Sequence, residues 1–316
     1  MAYYLGIDGG GSKTTCAVGD ARLVLGTSTT GPSNITRVDE MRACESLHQA
    51  IREACANAKI DPRQIDRACI GAAGAGREEV ADVLRKIVSE VINGEIEVVG
   101  DMEIALAAAF GSGPGVIIIA GTGSIAYGRN AQGTSARAGG WGFAISDEGS
   151  AHWIGRAAVA NLFREVDQDE QRLGAQRAVE DSSLFRELKA VWSLHSLEEF
   201  VRTANSHPDF AALFPAILAA ADAGNVLAQR VLEQAGAELS RLADTVIRKL
   251  LAEPDASSTF VKLAMAGGVF RHSARVREYF RDEVRKFAPH AQVNQDVVEP
   301  VAGALEMARQ PREKQK

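Results

Sequence analysis

The sequence predicts an α/β protein built from a duplicated unit, and three observations carry that expectation. Two apolar runs each end in a glycine-rich turn: Leu5-Gly6-Ile7-Asp8-Gly9-Gly10-Gly11-Ser12-Lys13-Thr14 and Val116-Ile117-Ile118-Ile119-Ala120-Gly121-Thr122-Gly123-Ser124. Two more short apolar segments follow each turn, so each half begins as a three-stranded meander. Beyond the first meander, strand-like runs alternate with runs of helical period, the pattern of a mainly parallel sheet.

The first meander is completed by Thr15–Val18, a Gly19-Asp20 turn and Leu23–Thr27. Gly31-Pro32-Ser33-Asn34 reads as a loop. From Val38 to about Ala58, Met41, Cys44, Leu47, Ile51, Ala54 and Cys55 fall at helical spacing. Asp39 and Glu40 suit the first turn of that helix, where negative charge is favoured. Asp61-Pro62 starts a turn, and Arg67–Gly71 reads as a strand broken by the Gly71–Gly76 loop. Arg77 to Val91 returns to helical period, Glu95–Val99 is a strand ending at Gly100-Asp101, and Ile104–Phe110 is helical. Gly111–Gly115 reads as a linker.

The second meander continues through Ile125–Tyr127 and Ser135–Ala138 into Gly139-Gly140-Trp141-Gly142. From Gly149 to about Leu251 the pattern is nearly all helical, with breaks at Ser206-His207-Pro208 and Ala223-Gly224-Asn225. Phe260–Ala266 reads as a strand, Gly267-Gly268 as a turn, Val276–Phe287 as a helix and Ala291–Val293 as a short strand. Val301–Arg309 is a final helix with Pro300 near its start, where a missing N–H costs little. Gln310–Lys316 reads as a frayed tail. The expected lobes are 1–113 and 114–316, with a helical insertion at about 150–252 and the final helix, 301–310, packing back on the first lobe.

With 316 residues the chain can bury a large core. A net charge of −6 without a Lys/Arg cluster argues against a nucleic-acid partner. No apolar run reaches the length of a membrane span. Met1-Ala2-Tyr3-Tyr4 leads straight into a strand with no signal peptide, so the expected compartment is the cytoplasm. The cysteines Cys16, Cys44, Cys55 and Cys69 form no C-x-x-C pair, which speaks against zinc or an iron–sulfur cluster. Reduced thiols in a packed core are the expectation.

Glycines in both turns let backbone N–H groups approach an anion closely. A carboxylate such as Asp8 beside them can hold hydrated Mg²⁺ when phosphates supply the remaining ligands. A plain hairpin turn is the alternative for the first segment alone; the second copy favours a phosphate cradle. Neither turn fits the Walker A pattern, and Gly9-Gly10-Gly11 leads into a strand where a dinucleotide fingerprint would open a helix. Asp101 follows a parallel-type strand, where ligands of open α/β sheets gather. It reads either as a helix N-cap or as a general base for a hydroxyl attacking a γ-phosphoryl group. Gly139–Trp153 is dense in glycine, acid and aromatic residues. Asp147 and Glu148 could accept bonds from sugar hydroxyls or serve the helix that begins near Gly149; His152 and Trp153 read as packing residues.

Together the Asp8–Thr14 turn, Asp101, the Gly121–Ser124 turn, the Gly140–Ser150 run and Gly267-Gly268 resemble the N-acetylglucosamine kinase branch of the BadF/BadG-type ATPases, in the actin–sugar kinase–heat-shock ATPase superfamily. The motifs span nearly the whole chain in the family's order. The resemblance implies two ribonuclease-H-like lobes, a duplicated actin-like ATPase fold, around an interlobe cleft. It implies ATP and Mg²⁺ as cofactors, an amino sugar as partner and a homodimer. By the same resemblance, Asp8 helps hold Mg²⁺; Gly10, Gly11, Ser12 and Lys13 form the first phosphate loop; and Thr122 and Gly123 form the second. Asp101 is the catalytic base and also touches the sugar. Asn34, Gly140, Trp141 and Asp147 bind the sugar, while Gly267, Gly268 and His272 lie against the adenosine. N-acetylglucosamine or glucosamine is the expected acceptor. The stretch around Asn34 lacks an aromatic residue that some of these kinases carry, which keeps N-acetylmuramic acid and other hexoses open. An ATP-driven activator of a protein partner is the alternative function. The absence of cysteine after Cys69 argues against it, because such activators share an iron–sulfur cluster between subunits.

Overall fold

The computed structural model describes residues 1–168, 182–206, 208–250 and 261–310. His207 and the tail from 311 onward lie outside the described residues. Chain contacts define two compact units. One comprises Met1–Ile117, Tyr127–Ser135 and the stretch from Gln295 through the last helix; the other comprises Ile118–Ala126 and Ala136–Asn294.

The first sheet has the order β3-β2-β1-β4-β5. Its strands are β1 (Tyr3–Gly9), β2 (Thr14–Gly19), β3 (Val24–Thr30), β4 (Ile65–Ala72) and β5 (Glu95–Gly100). The meander is antiparallel, whereas β1, β4 and β5 run parallel. The second mixed sheet, from β6 (Gly115–Ala120), β7 (Ser124–Arg129), β8 (Ser135–Gly139), β9 (Lys262–Ala266) and β10 (Gln292–Val298), has the order β8-β7-β6-β9-β10. That order repeats the first sheet strand for strand, so the duplicated α/β architecture is present.

Alternation along β1 decides which face each neighbour covers. Leu5 and Ile7 join Cys16 and Val18 on one face, where they meet Leu47, Ile51 and Cys55 of α1 (Glu40–Ala58) and Leu84, Ile87 and Val88 of α2 (Glu78–Ser89). On the other face, Cys69, Val99 and Ile104 pack with Ala304 and Ala308. Ile104 belongs to α3 (Asp101–Phe110). Among the described residues eight further α-helices follow: α4 (Ala151–Gln168), α5 (Ser183–Val191), α6 (Leu197–Ala204), α7 (Phe214–Asp222), α8 (Val226–Leu250), α9 (Gly268–His272), α10 (Ala274–Phe287) and α11 (Pro300–Arg309). Gly6 lets α11 lie directly on β1: a Cβ there would sit 2.3 Å from the Leu305 nitrogen.

Several boundaries differ from the sequence expectation for local reasons. The third helix begins at Asp101 rather than Ile104, because Glu103 reaches back to the Gly100 N–H at 3.1 Å and closes the first turn there. The strand expected at Ala291–Val293 extends to Val298. The nearly all-helical stretch expected from Gly149 to about Leu251, with breaks at 206–208 and 223–225, has a further break at 192–196, where Ser193 takes φ +56° and Ser196 caps the next helix through the Glu199 N–H at 3.1 Å.

Candidate active site

In the first unit, three parallel strands end together. The register pairs Asp8 with Gly71 and Gly71 with Val99; one step on, Gly9 pairs with Ala72 and Ala72 with Gly100. Asp8 and Asp101 therefore emerge at the same edge, two strand spacings apart, or about 10 Å. The glycine turn beside Asp8 closes through a Gly10 N–H to Lys13 carbonyl bond of 3.0 Å. A Cβ on Gly10 would sit 2.7 Å from that carbonyl oxygen, so the turn requires glycine.

The loop carrying Asn34 is tied to this turn. The Gly10 carbonyl accepts from the Ser33 and Asn34 N–H groups at 3.2 and 3.3 Å. Buried Thr14 donates to the Gly31 carbonyl at 2.8 Å and lies 2.7 Å from the Ser33 hydroxyl. Asn34 is itself buried, and its Oδ1 accepts from the Thr36 N–H at 3.0 Å and the Thr36 hydroxyl at 2.7 Å. The side-chain NH₂ of Asn34 is thus the group left to meet a ligand. Lys13 is exposed at the end of the turn.

Asp101 is the first residue of α3, not its N-cap; the cap position is Gly100. Its carboxylate accepts from the Met102 N–H at 2.9 Å. Burial pushes its pKa up, while the Met102 N–H and its own backbone N–H pull the other way. A half-buried carboxylate of raised basicity at a helix N-terminus can take a proton from a hydroxyl brought within hydrogen-bond reach.

In the second unit, the β6–β7 turn closes through a Gly121 N–H to Gly123 carbonyl bond of 2.9 Å. The start of α4 is anchored on it, with the Ala151 N–H donating to the Gly121 carbonyl at 2.9 Å and the His152 N–H to the Thr122 carbonyl at 3.4 Å. Asp147 is 4% exposed and takes a left-handed φ of +68°. Its carboxylate accepts from the Ser124 N–H at 3.3 Å, and a Cβ on Gly123 would sit 2.8 Å from its Oδ2. Ser124 Oγ donates to the Glu148 carbonyl at 2.7 Å. Neither acid supplies the cap of α4: buried Ser150 does, accepting from the Trp153 N–H at 3.2 Å, while Glu148 accepts from the Ser146 hydroxyl at 3.0 Å.

Gly140 packs on Ile125 at the start of β7. Trp141 is 64% exposed, with the Arg137 guanidinium 4.3 Å from its ring centroid. His152 packs between Phe143 and Phe210, at centroid distances of 4.9 and 5.4 Å. Gly267, at φ +96°, passes so close to β6 that a Cβ would sit 2.4 Å from the Ala120 carbonyl oxygen. It caps the short α9, which carries Gly268 and exposed His272.

The first unit therefore gathers Asp8, the Gly10–Lys13 turn, Asn34 and Asp101 at one sheet end. The second gathers Thr122, Gly123, Gly140, Asp147 and Gly267. The family model of the BadF/BadG/BcrA/BcrD ATPases matches residues 5–308. The chain belongs to this ATPase family. A Clostridium acetobutylicum relative named N-acetylmuramic acid/N-acetylglucosamine kinase is 33% identical over 290 residues, covering 91% of this chain and 90% of that protein. A Dictyostelium discoideum N-acetyl-D-glucosamine kinase is 27% identical, covering 96% of this chain and 97% of its own length. The crystal structure of a candidate N-acetylglucosamine kinase from Chromobacterium violaceum matches with a TM-score of 0.74 at 22% identity, covering 98% and 99% of the two chains, and gives the fold. This member of the BadF/BadG/BcrA/BcrD ATPases is an enzyme, an ATP-using kinase.

Sequence reasoning missed one cation at the ATPase-family turn. Arg37 lies over Gly11, where a Cβ would meet its Cδ at 3.2 Å and its Nη1 at 3.9 Å. It follows Asn34 by three residues, and its backbone N–H donates to the Asn34 carbonyl at 2.9 Å. The available signal was its spacing from the Gly-Pro-Ser-Asn loop, which only the tie between Gly10 and Ser33-Asn34 turns into proximity.

Proposed function

We propose that this protein transfers the γ-phosphoryl group of ATP to a hydroxyl of an amino sugar, with N-acetylglucosamine or glucosamine as acceptor and Asp101 as general base. The observation that carries this reading is the placement of a half-buried carboxylate of raised pKa at the same strand ends as Asp8 and its glycine turn. Asp101 takes the acceptor proton as the hydroxyl oxygen attacks the γ-phosphorus and the bond to the ADP oxygen breaks. Backbone N–H groups of Gly11, Ser12, Thr122 and Gly123 orient the phosphates, with Lys13 and Arg37 supplying charge beside the first turn. The Asp8 carboxylate is a hard oxygen donor at that turn and fits Mg²⁺, which when bound would neutralise phosphate charge. Asn34 donates to the sugar, Gly140 and Trp141 wall it, and Asp147 supports that side while holding Ser124. Gly267, Gly268 and His272 flank the nucleoside.

The reading includes a cytoplasmic homodimer. Among the described residues no single helix is long and apolar enough to cross a membrane.

One observation favours N-acetylmuramic acid as a second acceptor. A Cβ on Gly74 would lie 3.1 Å from Arg77 Nη2 and 3.2 Å from Thr36 Cγ2, the residue that orients Asn34. Exposed Arg77 makes no hydrogen bond or ion pair with another described side chain, so it can meet the carboxylate of such a sugar. The test is a panel of hexoses and amino sugars with ATP, read by ADP release and product mass. Turnover of amino sugars must vanish in Asp101→Ala while ATP still binds. Sugar-independent ATP hydrolysis unaffected by that change would refute the reading. Arg77→Gln should lower kcat/KM for N-acetylmuramic acid about tenfold or more, the scale of one lost charged hydrogen bond, and leave N-acetylglucosamine unchanged.

A further inference from the structure

We propose that Cys44, His48 and Glu90 form a binding site for a zinc-type divalent metal that joins α1 to the end of α2. Cys44 and His48 are four residues apart on α1 and so share one face. Glu90 is the C-cap residue of α2. Cys44 Sγ lies 3.8 Å from His48 Nδ1 and 3.7 Å from Nε2, and Nε2 lies 3.6 Å from Glu90 Oε2. One ligand atom from each residue falls within 4.8 Å of the other two.

These separations suit a metal at their centre. Tetrahedral zinc with bonds of about 2.3 Å to sulfur and 2.0–2.1 Å to nitrogen sets those atoms about 3.6 Å apart, and nitrogen and oxygen ligands about 3.3 Å apart. The observed Sγ–Nδ1 separation of 3.8 Å is within a few tenths of an ångström of the first value, and Glu90, whose Oε2 now lies 3.6 Å from Nε2, completes the second by turning toward Nδ1. An outer partner is also in place. A His48 ring nitrogen lies 2.9 Å from the Ile87 carbonyl oxygen. That carbonyl holds Nε2 as the N–H donor and leaves Nδ1 with its lone pair, the arrangement that orients metal-bound imidazoles. Glu90, half-exposed on its side chain, can swing onto the ion, and the outer side leaves room for water as a fourth ligand.

The surrounding charge points the same way. Glu90, with Glu40 and Glu45 on α1, attracts a divalent cation, as does the C-terminal end of α2. Cys16, Cys55 and Cys69 are buried, so Cys44 is the thiol among the four that an ion can reach. The i, i+4 Cys–His pair is invisible to a search for C-x-x-C spacing.

The full-length protein, stripped with a chelator and dialysed, is titrated with Zn²⁺ and with Co²⁺. One equivalent should bind. Co²⁺ should give a thiolate-to-metal charge-transfer band and the intense visible absorption of a tetrahedral site. Zn²⁺ should raise Tm. Cys44→Ser should abolish the charge-transfer band, and His48→Gln should weaken binding at least about tenfold, as loss of one ligand does. Cys44→Ser is near-isosteric and keeps the comparison valid should His48→Gln fold poorly. Absence of a stoichiometric site, or a Co²⁺ spectrum and Zn²⁺ affinity unchanged in Cys44→Ser, overturns the proposal.

Discussion

Replacing Gly303 by alanine should damage catalysis from the far side of the helix that carries Asp101. α11 meets α3 backbone to backbone at this residue. A Cβ on Gly303 would lie 1.9 Å from the Ile104 carbonyl oxygen and 2.5 Å from the Ala108 nitrogen. Ordinary Cβ contacts begin at 3.4 Å, so the two helices must part by about 1.5 Å, and both obstructing atoms are main chain that cannot swing aside. α11 is backed by β1, where Gly6 already touches Leu305 and Val301, so much of the displacement falls on α3. Overpacking of this kind costs about 1–3 kcal/mol, or about 2–4 °C in Tm for each kcal/mol in a unit of this size. Ile104 is one turn from Asp101, and a misplacement of about 1 Å in a reacting group can cost about 10²-fold in rate. Thermal unfolding and sugar-dependent ADP release are the assays. The expected result is a lowered Tm with kcat down about 10–100-fold and KM for ATP little changed. Wild-type Tm together with wild-type kcat would refute the reasoning.

Asp101→Asn should remove turnover yet stabilise the apo protein at neutral pH. A raised folded-state pKa means the carboxyl costs stability as pH rises through the interval between its unfolded and folded values, with the cost absent below the unfolded value. The Tm advantage of the variant should therefore shrink as pH falls below that interval, and a variant less stable than wild type at pH 7 would contradict the burial argument. The acidic limb of kcat/KM for wild type should lie above the ordinary aspartate pKa of about 3.9, since the base must be ionised; a limb at or below that value counts against Asp101 as the base. Gly123→Ala should raise KM for ATP about tenfold or more, because its Cβ would press on Asp147 and break the Ser124 bond. Asp147→Gly, which suits the φ of +68°, removes the same bond and the carboxylate the Cβ presses on, so the double variant should lose less than the two single losses combined, and strict additivity would show that the two do not interact.

The duplication was legible because strand runs and glycine turns are local signals. Both meanders were readable, and the two sheets repeat one strand order as that duplication requires. Less of the site could be read, because side-chain direction depends on contacts distant in sequence. Asp147 sits between acids and glycines that suit a sugar site, yet its carboxylate meets Ser124, 23 residues earlier. Asp101 looked equally like an N-cap until Gly100 took that position. Ser150, not Asp147 or Glu148, caps α4, and a run of three adjacent candidates gives no local means of choosing. Cys44 reads from sequence only as a core thiol, since the cluster it joins needs Glu90, which comes from another helix.

The two glycine turns share an outline but are braced by different groups. The first is held by main chain: the Gly10 carbonyl collects the Ser33 and Asn34 N–H groups, so the brace is neutral and passes directly into the Asn34 loop. The second is held by a charge, the Asp147 carboxylate on the Ser124 N–H. A buried carboxylate next to a phosphate would repel it, so Asp147 makes the second turn a poorer seat for an anion. The first turn also has a carboxylate, Asp8, beside it, but Lys13 and Arg37 lie there as well. On the proposed reading, these two cations make the first turn, next to Asp8 and at the strand ends that also carry Asp101, the better seat for a highly charged phosphate.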